Sequence, residues 1–533
     1  MRKVGGKSYV ITGATSGMAL ATAESTVMSK PGDLKTTRPF EPLTSMPARH
    51  RRRAIATLVV VTPLWLLSGC IPALGPRPEP KPITAYRSEQ SFAAAEGSWP
   101  EQDWWHAYGD PQLDRLIGEA LDGSPDLRIA QARLLQAEAI AKQTGAALLP
   151  RVDAQGSASE LRQTLNQGFP ESYQPVLPHG WHSQGMLTAN FDYELDLFGK
   201  NRAEFAAATS EVDAARIDAA AARLSLSTAV AESYAQFVEL SADQGAAKEA
   251  LRIRRESAAF VTSRYRQQLE NGGEVAQADA RVDAAQADLD VIDGQLTRQR
   301  NLIAALIGAG PDRGLEIAVP AGPQLRAFGV PRDLAAGLVG RRPDVVAARL
   351  RVEAAAQRVG AARADFYPNI NLAGFIGQQS LPISTLFSAQ SLVGQVGPAI
   401  SLPLFDGGRR EAAYRGTHAR YAEAVADYDK TLTAVLREVA DALADARELA
   451  SELAHSRAAL AHSEDAHRIA TLRYRGGLSR YLDVLTAEDT EVAEKRRVAT
   501  LEVRAFTVDI ALVSAVGGGF VDRSSPLAFN RRP

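Results

Sequence analysis

Residues 473–485 read RYRGGLSRYLDVL, and residues 264–276 read RYRQQLENGGEVA. Both open on Arg-Tyr-Arg and carry an acid ten residues on, Asp483 and Glu274, at an offset of 209. Gly308 and Gly517 share that offset. Working outward, Leu197-Phe198-Gly199 matches Leu404-Phe405-Asp406 at 207, and Leu149-Pro150 matches Tyr367-Pro368 at 218. Pro125-Asp126-Leu127 matches Pro343-Asp344-Val345, again at 218. Self-similarity of this kind marks one structural unit used twice.

Each unit has the same order. A helical segment (about 124–149 and 343–366) runs into a proline, then a strand-like region, a very long helical segment, a turn and a second helix. The long segments, about 199–268 and 407–476, contain no proline. At 1.5 Å per residue, about 70 residues reach roughly 105 Å, too long for a compact globular core. After the first turn, Val275, Ala278, Val282, Ala285, Leu289, Ile292, Leu296, Gln299, Ile303 and Leu306 alternate steps of three and four. Adding 209 gives Val484, Ala487, Glu491, Glu494, Val498, Leu501, Ala505, Val508, Leu512 and Ala515. Both sets read as coiled-coil seams.

The strand-like regions alternate. In 187–197 the odd positions are Leu187, Ala189, Phe191, Tyr193, Leu195 and Leu197, and the even ones are Thr188, Asn190, Asp192, Glu194 and Asp196. Residues 151–158 alternate likewise. In the second unit Ile370, Leu372 and Ile376 share a face, as do Leu392, Val396, Ile400, Leu402 and Leu404. The lengths suit tilted membrane-spanning strands, one face toward lipid and the other toward water. Four strands cannot close around a lumen, and an open edge in lipid leaves backbone groups unsatisfied, so a barrel is shared between chains. A long helical bundle with an amphipathic hairpin is the other reading these patterns allow.

The 533 residues carry 60 basic and 62 acidic side chains, a formal charge of -2, without the basic excess of a nucleic-acid binder. The single cysteine, Cys70, excludes an intramolecular disulfide. Arg49, Arg51, Arg52 and Arg53 precede an apolar run, 54–67, too short to span a bilayer as a helix, which reads as a signal peptide. Its end, Leu67-Ser68-Gly69-Cys70, resembles a bacterial lipobox, which implies a lipidated Cys70; Ile71, in place of aspartate, points to the outer membrane. Upstream, residues 10–19 resemble the start of a short-chain dehydrogenase, but Ala19 replaces its last glycine and a signal peptide follows where the fold needs a further strand–helix unit. Met46 is therefore the expected start. Proline-rich residues 70–103 are expected as an extended tether.

Together, Trp104-Trp105-His106-Ala107-Tyr108-Gly109-Asp110-Pro111-Gln112-Leu113, Pro125-Asp126-Leu127, Tyr193-Glu194-Leu195-Asp196-Leu197-Phe198-Gly199 and the two turns resemble the outer-membrane factors of tripartite efflux systems. These are the TolC and OprM type, with NodT-like lipoproteins among them; the likeness covers about 104–520. It implies a mainly α fold with membrane β: two tandem repeats, long coiled-coil helices forming a periplasmic α-barrel, and four strands per chain in a trimeric outer-membrane β-barrel. The expected division is an extension (1–45), signal peptide (46–69), lipidated cysteine and tether (70–103), first repeat (104–308), equatorial segment (309–342), second repeat (343–517) and tail (518–533). The implied partners are two further copies, a periplasmic adaptor, an inner-membrane pump of the RND class and outer-membrane lipid, with no cofactor beyond the lipid on Cys70.

The resemblance puts both turns at the periplasmic tip, where the adaptor docks and the tunnel narrows. Asp483, and Glu274 in the first unit, are then the gate acids. Arg264, Tyr265, Gln268, Leu269, Arg473, Tyr474, Gly476, Gly477 and Leu478 are the tip and adaptor contacts, the Arg–Tyr pairs either latching the helices by hydrogen bonds or packing between them. Gln268 stands where Gly477 stands, so the first turn is expected to differ in shape. No catalytic constellation emerges: His455, His462 and His467 lack helical metal-pair spacing and are expected to be solvated. A periplasm-spanning scaffold lipoprotein without a channel is the alternative, and the alternating strands count against it.

Overall fold

The first repeat enters through a 3-10 turn, Trp104–Tyr108, and two helices that each begin on proline, Pro111–Gly123 (α1) and Pro125–Gly145 (α2). Proline suits the first helical turn because the amide it lacks has no intrahelical partner there. A hairpin of β1 (Arg151–Arg162) and β2 (Trp181–Glu194) leads into α3 (Lys200–Arg266), which reverses into α4 (Gly272–Leu306). Short helices α5 (Pro311–Leu315) and α6 (Leu334–Arg341) precede the second repeat: α7 (Pro343–Ala364), β3 (Asn369–Ser380), β4 (Leu392–Ser401), α8 (Arg409–Arg475) and α9 (Tyr481–Ala515). This computed structural model describes residues 71–93, 97–162, 164, 170–319 and 334–522, all in the second of two units, Gly69–Pro533. The expected extension, the signal peptide, Cys70, residues 320–333 of the equatorial segment and the end of the tail lie outside the described residues.

The repeats match in length as well as order. Helices α3 and α8 have 67 residues each, and α4 and α9 have 35 each. At 1.5 Å per residue the long helices reach about 100 Å. Each starts after a glycine with positive φ, Gly199 and Gly408. Helix α3 packs against α2, α4, α7 and α9, and α8 packs against α7 and α9, so α7 and α9 join the two long helices.

The sheet has order β1-β2-β3-β4, antiparallel throughout. Its register lines Val152, Phe191, Gly374 and Val396 in one row and Ala154, Ala189, Ile376 and Gly394 in the next. The opposite face carries Asp153, Asn190, Phe375 and Gln395, and then Gln155, Thr188, Gly377 and Val393. Leu161, Met186, Phe375 and Val393 interrupt an otherwise polar or small surface. On the apolar face Val396 is 75% exposed and Ile400 70%, a surface that water does not suit. Neither β1 nor β4 has a second strand partner among the described residues, so both edges of the sheet are open.

The two largest apolar cores hold the helices. Trp104, Trp105, Tyr108 and α1 bury their apolar faces against α3, α4 and α9, with Tyr108 stacked edge-on to Phe506 at 4.7 Å. The Trp-Trp-His-Ala-Tyr-Gly-Asp-Pro motif thereby gets a structural explanation. Asp110 caps α1 through the amides of Gln112 and Leu113 and accepts the Tyr234 hydroxyl at 2.6 Å, while Tyr108 donates to Asp509 at 2.7 Å. The second core joins α6, α7, α8 and the end of α9. Ile71, Leu74, Ile83, Tyr86, Phe92 and Trp99 pack onto it. The expected tether is therefore extended but docked: the Lys81 amide donates to Asp429 at 3.0 Å, and Arg447 donates to the Ser91 carbonyl at 3.0 Å. Apolar residues spaced irregularly between prolines anchor it without any period for the sequence to display.

Candidate functional site

The ends of α3 and α8 and the starts of α4 and α9 meet in one cluster, with Ala258, Val261, Ala278, Tyr474, Tyr481, Val484 and Leu485 at its core. Both reversals use the same bonds. The Leu269 amide returns to the Arg264 carbonyl at 3.0 Å and the Leu478 amide to Arg473 at 2.8 Å. Gln268 and Gly477 donate to the tyrosine carbonyls, Tyr265 and Tyr474, at 2.9 and 3.0 Å. Gln268 has φ 63° and Gly477 φ 71°, so the expected difference in shape is not found. The geometry of a 6→1 helix reversal requires a left-handed residue whatever its side chain. Gln268 holds that conformation at a cost of about 1–2 kcal/mol.

The turns differ in how the returning helix is capped. In the first, Asn271 Oδ1 accepts from the amides of Gly273 and Glu274 at 2.8 and 3.1 Å. In the second, Arg480 stands at the equivalent place, and Asp483 reaches back to accept the Arg480 amide at 3.1 Å. Asp483 is exposed and Glu274 half-buried, each at the third position of its helix. Asp483 thus has a capping role beside any role toward solvent.

Of the four tip residues expected to latch or pack, the structure brings two together through a third. Glu270 Oε1 accepts the Tyr474 hydroxyl at 2.7 Å and Arg264 Nε at 3.0 Å, and the Arg264 guanidinium lies 5.1 Å over the Tyr474 ring. Burial first, and the Glu270 carboxylate second, push the Tyr474 phenol well up, so it stays a donor. Tyr265 is 48% exposed and Arg473 is exposed as well; the pseudo-equivalent residues do not share environments. The reason is that α9 packs against α3, which encloses Tyr474 and leaves Tyr265 outside. Glu270 was not among the expected residues; its one sequence signal is that Ser479 stands at the same place in the other turn. Gly476 and Gly477 are exposed, and Leu269 and Leu478 project outward, Leu478 73% exposed, an apolar surface for a partner.

Above the tip, the seam acid Glu491 gains partners. His467, expected to be solvated, lies with Nδ1 2.6 Å from Glu491 Oε2, and its side chain is mostly buried. Its position follows from the seam: Glu491 falls where α9 faces α8, and it is met there by His467 of α8 and, from its own helix, by Lys495 at 2.5 Å. His455 and His462 are exposed as expected, and no metal-binding group is present among the described residues.

With this geometry established, the likenesses to known proteins are direct. The profile of the outer membrane efflux protein family matches residues 116–309 and 336–518, the two repeats. The multidrug resistance outer membrane protein MdtP of Escherichia coli K12 is 30% identical over 85% of this chain and 94% of its own. The probable outer membrane lipoprotein SilC of Salmonella typhimurium is 28% identical over 87% and 99%. The crystal structure of the outer membrane protein VceC from Vibrio cholerae superposes with a TM-score of 0.75 at 42% identity, covering 79% of this chain and all of that one. The docked helix pairs, the open amphipathic sheet and these likenesses lead to one statement: the chain belongs to the outer membrane efflux protein family.

Proposed function

We propose that three copies of this chain form the outer-membrane exit duct of a tripartite efflux system, passing drug-like small molecules delivered by an adaptor and an RND-class pump. The observation that carries the assembly is the four-stranded sheet with two open edges and an apolar outer face. Lipid cannot satisfy the edges, and three such sheets joined edge to edge give twelve strands, within the range of closed barrels. The polar face then lines the lumen, and the roughly 100 Å helices continue it into the periplasm. A helical scaffold would have no use for that sheet. The tip turns are the adaptor's docking surface, through Leu269 and Leu478, and the acids Asp483 and Glu274, repeated three times, form the constriction.

The docked N-terminal segment supports a lipid on Cys70. Between its contacts at Ser91 and Lys81 it moves from Arg447 to Asp429, up α8 toward the sheet. From Lys81, eleven extended residues cover about 34 Å, and the stretch of α8 from Asp429 to its start is about 30 Å. A segment of that length is long enough for an acyl chain on Cys70 to reach the level where strands begin. Cys70→Ser is expected to abolish labelling by radioactive palmitate while the helical content, followed by circular dichroism, is unchanged.

The channel is tested by recording purified protein in a planar bilayer. Discrete, cation-preferring steps are expected. Asp483→Ala should change their size or lifetime and, through the lost cap, weaken the tip by about 1 kcal/mol. Silence from folded trimers together with adaptor crosslinking at Leu478 that fails would count against this function.

A further inference from the structure

Helix α9 carries two seams. One, with Val484, Glu491, Val498, Leu501 and Val508, faces α8; the other, with Tyr481, Leu485, Glu488, Val503, Phe506 and Ile510, faces α3 and the aromatic core. The named members are apolar or aromatic except Glu488, which is 1% exposed; farther along the same interface Arg496 pairs with Asp243 of α3 at 3.1 Å. Its Oε1 has one long contact, Arg254 Nε at 3.4 Å, and its Oε2 is buried without a hydrogen-bond partner. Arg254 is better engaged elsewhere, donating to Asp489 at 3.1 Å, where Arg281 also donates at 2.8 Å. Glu488 is thus a buried carboxylate that closure leaves half satisfied.

We propose that Glu488 is a counter-latch, a group that opposes the packing of the tip end of α9 against α3 and lowers the work of parting them. This rests on the reading of the tip as a gate. Burying a charge without full pairing penalises the packed state, and parting the helices rehydrates it. Above the Arg496–Asp243 pair, Val503, Phe506 and Ile510 continue the seam with buried apolar side chains that favour packing. The same site makes the packing sensitive to pH. Burial, opposed by Arg254 and His467, raises the Glu488 pKa in the packed state. The packed state therefore binds the proton more tightly than the parted one, and packing is firmest at low pH and loosens as pH rises through the packed-state value. The other charged or titratable groups around it are Arg254 on α3, Arg281 on α4, His467 on α8, and Tyr481, Asp489, Glu491 and Lys495 on α9.

The test is amide hydrogen exchange of residues 254–266 and 481–490 in the full-length protein. Glu488→Leu is expected to slow exchange about tenfold at pH of about 7.5, and the isosteric Glu488→Gln to slow it less. Corrected for intrinsic chemistry, the unsubstituted protein should exchange more slowly at pH of about 5.5, and both variants should lose that difference. Asp489→Asn, which removes a fully paired acid, should speed exchange. Exchange of Glu488→Leu equal to or faster than that of the unsubstituted protein overturns the counter-latch. Bilayer recordings on the same samples separate the two readings: slowed exchange with neither conductance nor adaptor crosslinking at Leu478 removes the channel and retains the counter-latch, and conductance with unaltered exchange does the reverse.

Discussion

Gly517→Ala is expected to leave little or no folded protein. Gly517 has φ 99°, and a Cβ there would sit 2.0 Å from the Arg341 carbonyl oxygen and 2.9 Å from its carbon, both backbone atoms that cannot swing aside. The close approach exists because the end of α9 is read by the start of the second repeat. Arg342, itself mostly buried, donates to the Ser514 and Ala515 carbonyls at 3.3 and 3.0 Å while paired to Asp344 and Glu438. Moving the glycine back breaks that cap. The left-handed conformation alone costs an alanine about 1–2 kcal/mol, and the overlap brings the total to more than about 4 kcal/mol. Gly308 is the internal control. Its φ is 76°, and its Cβ would lie 2.7 Å from the Gly123 oxygen, a milder conflict. Thermal unfolding in detergent should rank the variants, with Gly308→Ala melting between the unsubstituted protein and Gly517→Ala. Equal melting of all three would show that the α9 end is not held as described.

The second large effect is at the tip. Glu270→Ala removes the acceptor of two bonds at once, from the Tyr474 hydroxyl and Arg264, and leaves both donors in a mostly enclosed site. Hydrogen bonds to a charged group contribute about 1.5–3 kcal/mol, so the closed-to-open ratio should fall by about 10- to 100-fold. Longer and more frequent openings in a planar bilayer are the expected record. Glu270→Gln, which keeps an acceptor without the charge, should fall between, and Ser479→Ala, at the same place in the other turn, should do nothing. If Glu270→Ala gates like the unsubstituted protein, the Arg264–Glu270–Tyr474 cluster is packing and not a latch.

The legible part of this protein is the part governed by local chemistry. Helix length, the reversal positions and strand alternation follow from the absence of proline, from Gly477 and from period two in 187–197, each a property of a few neighbours. Even Gln268 conformed, because the reversal geometry outweighs one residue's preference. What sequence alone did not show depends on which helices become neighbours. Glu270 matters because α9 encloses Tyr474, and His467 is buried because Glu491 faces it across a seam. The tether docks through side chains with no regular spacing. Asp483 was legible as an acid in the right place, but its bond to the Arg480 amide was hidden by the expectation that the residue before a helix does the capping.

The matched lengths of α3 with α8 and of α4 with α9 make length a shared quantity. A seven-residue deletion confined to α3 would draw Glu270 back by about 10 Å, out of reach of Tyr474, while α8 still delivered its own turn to the old level. Only a deletion repeated in all four helices keeps the tips together, and a change in four places at once is rare for any gene. The connections between strands at the other end of the sheet obey no such rule, and they already differ, residues 163–180 in the first hairpin against 381–391 in the second. The four long helices thus hold one another to a fixed length, and variation among descendants of this chain is expected to accumulate as new surfaces and new outer loops.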